Sequence, residues 1–77
     1  MLKLNDFKNI ENVLYYKFTR KDHEKKEYEI RIVNNGAGQY SLSIFKEGIC
    51  IEQIEKPEYQ NIGNVLKDAN KMFNLYE

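Results

Sequence analysis

Residues 27–33, EYEIRIV, alternate without a break, with Tyr28, Ile30 and Ile32 on one side and Glu29 and Arg31 on the other. Side chains of an extended chain point to opposite faces with period two, so this pattern describes a strand with one dry face and one wet face. Such a strand belongs in an antiparallel sheet covered on one side, because strands buried on both faces read as continuous apolar runs. The rest of the chain must then supply neighbouring strands and one covering layer.

Neighbours lie on both sides in sequence. In 13–18, Leu14, Tyr16 and Phe18 share one face, and Val13, Tyr15 and Lys17 share the other. In 39–45, Tyr40, Leu42 and Ile44 turn inward, and Ser41 and Ser43 turn outward. The charged run TRKDHEKKE reads as a solvated hairpin tip, and NNGAG as a turn whose Asn and Gly residues tolerate positive φ. KEG closes a further hairpin into a fourth strand, which ends by Pro57 because proline supplies no ladder donor.

The length of that last loop decides the faces. An even loop sets Phe45 opposite Cys50 and Ile44 opposite Ile51, so that Leu42, Ile44, Ile49 and Ile51 share the core face. A three-residue loop with a bulge at Gly48 would set Ile51 opposite Ser43 and move the apolar residues to the serine side. The even loop keeps the faces consistent and is preferred.

The covering layer comes from the C-terminal segment. Ile62, Val65, Leu66, Ala69, Met72, Phe73 and Tyr76 form one apolar stripe at 3.6 residues per turn, opposite Asn64, Lys67, Asp68 and Lys71. Asn61 is the N-cap candidate, and Gly63 weakens the first turn by about 1 kcal/mol relative to alanine. Near the other end, Asn5 is placed to cap a short helical turn presenting Phe7 and Ile10. The predicted architecture is α+β: a four-stranded antiparallel meander with a C-terminal helix packed on one face and a short N-terminal helical turn. With 77 residues, one domain and one small core are expected.

Composition narrows the function classes. At 42% apolar and 31% charged, the chain is too hydrophobic for disorder and too interrupted for a membrane span. No apolar run of signal-peptide length is visible, so a cytoplasmic location is expected. Twelve basic and twelve acidic side chains cancel, which removes the long-range field of a general nucleic-acid or acidic-membrane binder. Cys50 is the single cysteine, so neither an internal disulfide nor a multi-cysteine zinc site is open to the chain.

Catalytic signals are sparse. Asp22, His23 and Glu24 superficially suggest acid–base or metal chemistry, but adjacent side chains on a turn seldom converge, and His23 is the only histidine. Gly36, Ala37 and Gly38 lack the Lys and Ser or Thr of a phosphate loop and open no helix, so turn geometry accounts for them. Cys50 has no adjacent cation in this register and reads as a small strand residue. No enzymatic activity, cofactor or metal is expected.

Two surfaces remain. The hairpin cations Lys17, Arg20, Lys21, Lys25 and Lys26, with Tyr15 beside them, suggest a nucleic-acid surface, diluted by the interleaved Asp22, Glu24, Glu27 and Glu29. The sheet face away from the helix is the other. There Lys17 is expected opposite Glu29 and Tyr15 opposite Arg31, with Phe45, Cys50, Glu52 and Ile54 towards the fourth strand. Tyr and Arg anchor interfaces more than most residue types, and an edge strand accepts another strand. The plain alternative is that aromatic residues are there for strand propensity.

The preferred expectation is a small protein-binding module that uses Tyr15, Lys17, Arg31, Phe45, Cys50, Glu52 and Ile54, with homodimer formation through the fourth strand as a further option. The richness in Lys, Asn, Ile and Tyr is typical of low-GC bacterial coding and of the phages and plasmids of such hosts. By analogy of size and composition, an accessory protein that inhibits a host enzyme or defence system, in the manner of anti-CRISPR proteins, is expected.

Overall fold

The alternating segments are neighbours in one antiparallel sheet. The computed structural model describes residues 1–77. Its elements are β1 (Lys8–Ile10), β2 (Val13–Thr19), β3 (Glu27–Asn34), β4 (Tyr40–Lys46), β5 (Ile49–Ile54) and the helix α1 (Ile62–Tyr76). Single 3-10 turns at Leu4–Asp6 and Pro57–Gln60 complete the chain. The strands lie in sequence order as a meander, with α1 packed across β4 and β3.

The sheet therefore has five strands rather than four. The N-terminal helical turn expected to present Phe7 and Ile10 is shorter, a 3-10 turn over Leu4–Asp6 whose N-cap is Lys3 rather than Asn5. The chain then enters β1, where Lys8 pairs with Tyr15 and Ile10 with Val13. Only three residues long and exposed throughout, β1 is an edge strand with no inward apolar row, so it carries no period-two signal.

Tyr28, Ile30 and Ile32 of β3 and Leu42 and Ile44 of β4 meet Val65, Ala69 and Met72 of α1, and all are buried. Leu14, Tyr16 and Phe18 of β2 pack at the margin of this core. An aromatic row crosses one end of the layer interface. The Phe73 ring stands edge-on to Phe18 at 5.0 Å and to Tyr16 at 5.8 Å, and Tyr28 lies 5.5 Å from both Phe18 and Tyr76. Edge-on pairs at these separations add about 0.5–1.5 kcal/mol beyond area burial. At the helix start, the Asn61 side chain accepts a hydrogen bond from the Gly63 N–H at 2.8 Å, which is the expected cap.

The β4–β5 connection is the even loop. Lys46 pairs with Ile49 and Phe45 with Cys50, leaving Glu47 and Gly48 as a two-residue turn with φ of 51° and 81°. Positive φ at both central residues marks the turn type whose twist matches the flanking strands. One pair later the ladder slips. A bulge between Ile44 and Phe45 sets Ile44 opposite Glu52, not Ile51, and Leu42 opposite Ile54.

This slip redistributes the apolar residues of β5. Beyond it Ile54 packs against the core, and Ile51 at the bulge is 43% exposed. Ile49, also expected in the core, precedes the slip and pairs with Lys46 beside the turn, where it is 68% exposed and outside the core. An extra residue in one strand shifts everything beyond it by one position, and a one-residue shift exchanges faces.

Candidate functional site

The sheet surface opposite α1 is covered by no other element, and β2, β3 and β4 supply most of it. In the β2–β3 register, Tyr15 lies across from Arg31 and Lys17 from Glu29, as expected from the alternation. In the β3–β4 register, Arg31 lies across from Ser43 and Glu29 from Phe45. Arg31 does not stand straight out over Ser43. Its guanidinium leans diagonally onto the Phe45 ring, 3.9 Å from the centroid, and donates to the Glu29 carboxylate. Diagonal neighbours on one face of an antiparallel sheet are within reach of long side chains.

Arg31 is thereby fixed on two sides, by the ring beneath and the carboxylate beside it. The Lys17 ammonium lies 4.0 Å from the same carboxylate, so Glu29 serves two cations. Ser41 and Ser43, although on this face, are buried at 6% exposure each. Ser43 sits between Arg31 of β3 and Gln53 of β5, and Ser41 faces Val33, so longer neighbours shade the two hydroxyls. On the β1 side of Arg31, a depression of about 370 Å³ is lined by Ile10, Val13, Tyr15, Lys17, Glu29 and Arg31 among others. A half-buried aromatic, a planar cation and aliphatic walls thus meet on a surface with no cover of its own.

The remaining candidates divide. Cys50, opposite Phe45, is exposed at the edge of this surface, and its thiol lies 3.6 Å from the Glu52 carbonyl oxygen. Glu52 and Ile54 do not belong here. The bulge puts Glu52 opposite Ile44 and Ile54 opposite Leu42, in the rows beneath α1, where both line a groove with Met72 and Leu75. The expected face therefore retains Tyr15, Lys17, Arg31, Phe45 and Cys50, and Ile10 joins it from β1.

The hairpin cations are largely engaged by neighbours. Besides the Lys17–Glu29 contact, Arg20 lies 3.1 Å from Asp22 and donates to the Tyr28 hydroxyl at 3.4 Å, and Lys21 lies 3.5 Å from Glu77. The Tyr28 hydroxyl and the acidic neighbours Asp22 and Glu24 hold the Arg20 guanidinium even more firmly in its charged form. Lys25 and Lys26 point to solvent without a carboxylate partner. Asp22 accepts hydrogen bonds from the Glu24 and Lys25 backbone N–H groups at 3.2 Å, so it builds the turn, and His23 is exposed beside it. No three His, Cys, Asp or Glu side chains gather in a way that would hold a metal ion, and no helix is long and apolar enough to cross a membrane.

A second polar cluster lies on the other side of the molecule. Tyr59, in the 3-10 turn after β5, is fully buried, and its hydroxyl donates to Asp68 of α1 at 2.6 Å. The Lys56 ammonium donates to the same Asp68 oxygen at 3.1 Å, and Lys71 lies 3.8 Å from the other. The bond from Tyr59 and the cations Lys56 and Lys71 hold the Asp68 carboxyl below its usual range. Burial, the bond to Asp68 and the nearby Glu58 push the Tyr59 phenol upward. This cluster ties the segment after β5 to α1. The helical stripe gives no sign of Tyr59, because the extended Asn61 N-cap separates its 3-10 turn from α1.

Together these features define an α+β protein in which one sheet face is core and the other an uncovered aromatic and cationic surface. Comparison with protein-family models, curated proteins and solved structures returned no significant match.

Proposed function

We propose that the chain is a small non-enzymatic module that binds another protein through the uncovered sheet face. The observation that supports this most is the fixed Arg31. A guanidinium stacked on Phe45 and held by Glu29, beside the half-buried Tyr15, is an anchor already ordered before a partner arrives. Ordering an interface in advance removes part of the entropic cost of binding, and Tyr and Arg are the residue types most often found at binding hot spots. The adjoining depression supplies a concave receptor for a projecting partner side chain.

The neutralised hairpin weighs against phosphate tracking by Lys17, Arg20 and Lys21, which leaves Lys25 and Lys26 as its free cations. Nucleic-acid binding is therefore the second reading, and it predicts retention on DNA or RNA at low salt with steep loss as salt rises. Within the protein-binding reading, small size and low-GC composition support an accessory protein of a phage or mobile element, acting by occluding a host enzyme or defence component.

The test is affinity capture from a low-GC bacterial lysate, comparing the intact chain with Tyr15→Ala/Arg31→Ala. Capture of a defined protein that the double variant loses while remaining folded supports the reading. Equal capture by both argues against this face.

A further inference from the structure

The β5 edge has a charge pattern complementary to its own reverse, and we infer that two copies of this chain pair antiparallel along it, joining their sheets into one of ten strands. The opposite edge, β1, offers only three residues, so β5 is the long open edge of the sheet. Backbone N–H and C=O groups along such an edge await a further strand. The helix α1 packs mainly on β4 and β3.

The register follows from the last three residues of β5, Glu52, Gln53 and Ile54, and from Glu55 and Lys56 just beyond its end, where Lys56 keeps an extended backbone. With Ile54 facing Ile54 of the second copy across a two-fold axis, Glu52 faces Lys56 of the copy, Gln53 faces its Glu55, and each pair repeats by symmetry. Self-complementarity of one patch is what a two-fold interface demands. Sliding the strands so that Glu52 meets Glu52 places like charges face to face, which is destabilising. Centring on Gln53 instead sets Glu52 against Ile54.

Side-chain surroundings in the single chain agree. Glu52 has no cation within 4.0 Å, whereas Lys56 reaches Asp68 at 3.1 Å with its side chain still 46% exposed. An ammonium has three donors, so Lys56 can hold Asp68 and also receive Glu52 of the copy. Ile54 lies in a groove of about 240 Å³ between β5 and α1, flanked by Met72 and the 72% exposed Leu75. The two-fold would merge this groove with its equivalent and give it a floor of paired isoleucines. Zero net charge leaves no global repulsion to oppose the association.

Sedimentation equilibrium of the full chain tests the pairing. A dimer is expected whose dissociation constant rises at least tenfold in Glu52→Lys, which sets lysine against lysine twice, and recovers in Glu52→Lys/Lys56→Glu. A chain that stays monomeric to about 1 mM, where association is worth under roughly 4 kcal/mol, overturns the inference. So does a dimer indifferent to Glu52→Lys. Because Lys56 also serves Asp68, the register is read separately by oxidative cross-linking of two single-cysteine chains, Cys50→Ser/Gln53→Cys and Cys50→Ser/Glu55→Cys. Efficient cross-linking only when the two are mixed supports the register, and self-linking of either alone contradicts it. Tyr15→Ala/Arg31→Ala should leave the dimer intact, so failure of the open-face reading and failure of this pairing are distinguishable.

Discussion

The Asn70 carboxamide of α1 grips Leu2 from both sides: its oxygen accepts from the Leu2 N–H at 2.6 Å, and its nitrogen donates to the Leu2 carbonyl at 3.0 Å. Sixty-eight positions apart in sequence, the two residues tie the start of the chain to the covering helix, and Leu2 itself is buried. The same nitrogen donates to the Leu66 carbonyl at 3.0 Å, which steadies the carboxamide on its own helix. Replacing Asn70 by alanine strands two partly buried backbone groups and should cost about 1–3 kcal/mol in urea unfolding. Asn70→Asp keeps the acceptor for the Leu2 N–H but turns a carboxylate oxygen onto the Leu2 and Leu66 carbonyls, so at neutral pH it should be no more stable than Asn70→Ala.

The Tyr59–Asp68 bond sets limits at both ends of the pH range. Asp68 is held below its usual range, so its contribution is present above the unfolded value of about 4 and is lost as pH falls through the lower folded value. Tyr59 is held above its usual range, so its contribution is present below about pH 10 and is lost as pH rises towards the folded value. Tyr59→Phe should cost about 1–2 kcal/mol near neutrality and flatten the alkaline decline in thermal unfolding scans. An equal alkaline decline in the variant would place its origin elsewhere.

The bulge in β5 assigns different weights to isoleucines that look equivalent in sequence. Ile54 packs on the core opposite the buried Leu42, so Ile54→Ala should destabilise by about 1–2 kcal/mol, less than a fully buried site because Ile54 is only partly covered. Ile51→Ala, at the bulge and 43% exposed outside the core, should cost less than Ile54→Ala, under about 1 kcal/mol, because only the unslipped register would bury it opposite Ile44. Denaturant midpoints of the two variants check the register directly, and the reverse order would mean that β5 pairs without the slip.

The stacked Arg31 and Phe45 should be energetically coupled. A double-mutant cycle with Arg31→Ala and Phe45→Leu is expected to give a coupling of about 0.5–1 kcal/mol in favour of the native pair. Additive single effects would mean that the stack contributes no order to the face.

Period decided what was legible in advance. The central strands and α1 each repeat a pattern that only one backbone geometry can place on one side, so their existence, faces and the Tyr15–Arg31 and Lys17–Glu29 pairings follow from residue order. The even turn at Glu47 and Gly48 followed from placing Ile49 and Ile51 on the core face with Leu42 and Ile44; the turn is even, but neither isoleucine joins the core. The slip at Ile44 did not follow from residue order, because the segment offers an isoleucine to the core side in either register, Ile51 without the slip and Ile54 with it. That slip removed Glu52 and Ile54 from the expected face. β1 escaped notice because Lys8, Asn9 and Ile10 bury nothing, and Leu2 because its anchor lies at the far end of the chain. The lean of Arg31 onto Phe45 is a diagonal contact, visible only once three strands are aligned.

Parallel capture by three folded chains tests the uncovered face as a protein-binding surface: the native sequence, Tyr15→Ala/Arg31→Ala, and Lys67→Ala on the exposed side of α1. The predicted result is one defined protein retained by the native chain and by Lys67→Ala and lost by the double variant. Retention of that protein by all three chains, or of none by the native chain, would contradict it.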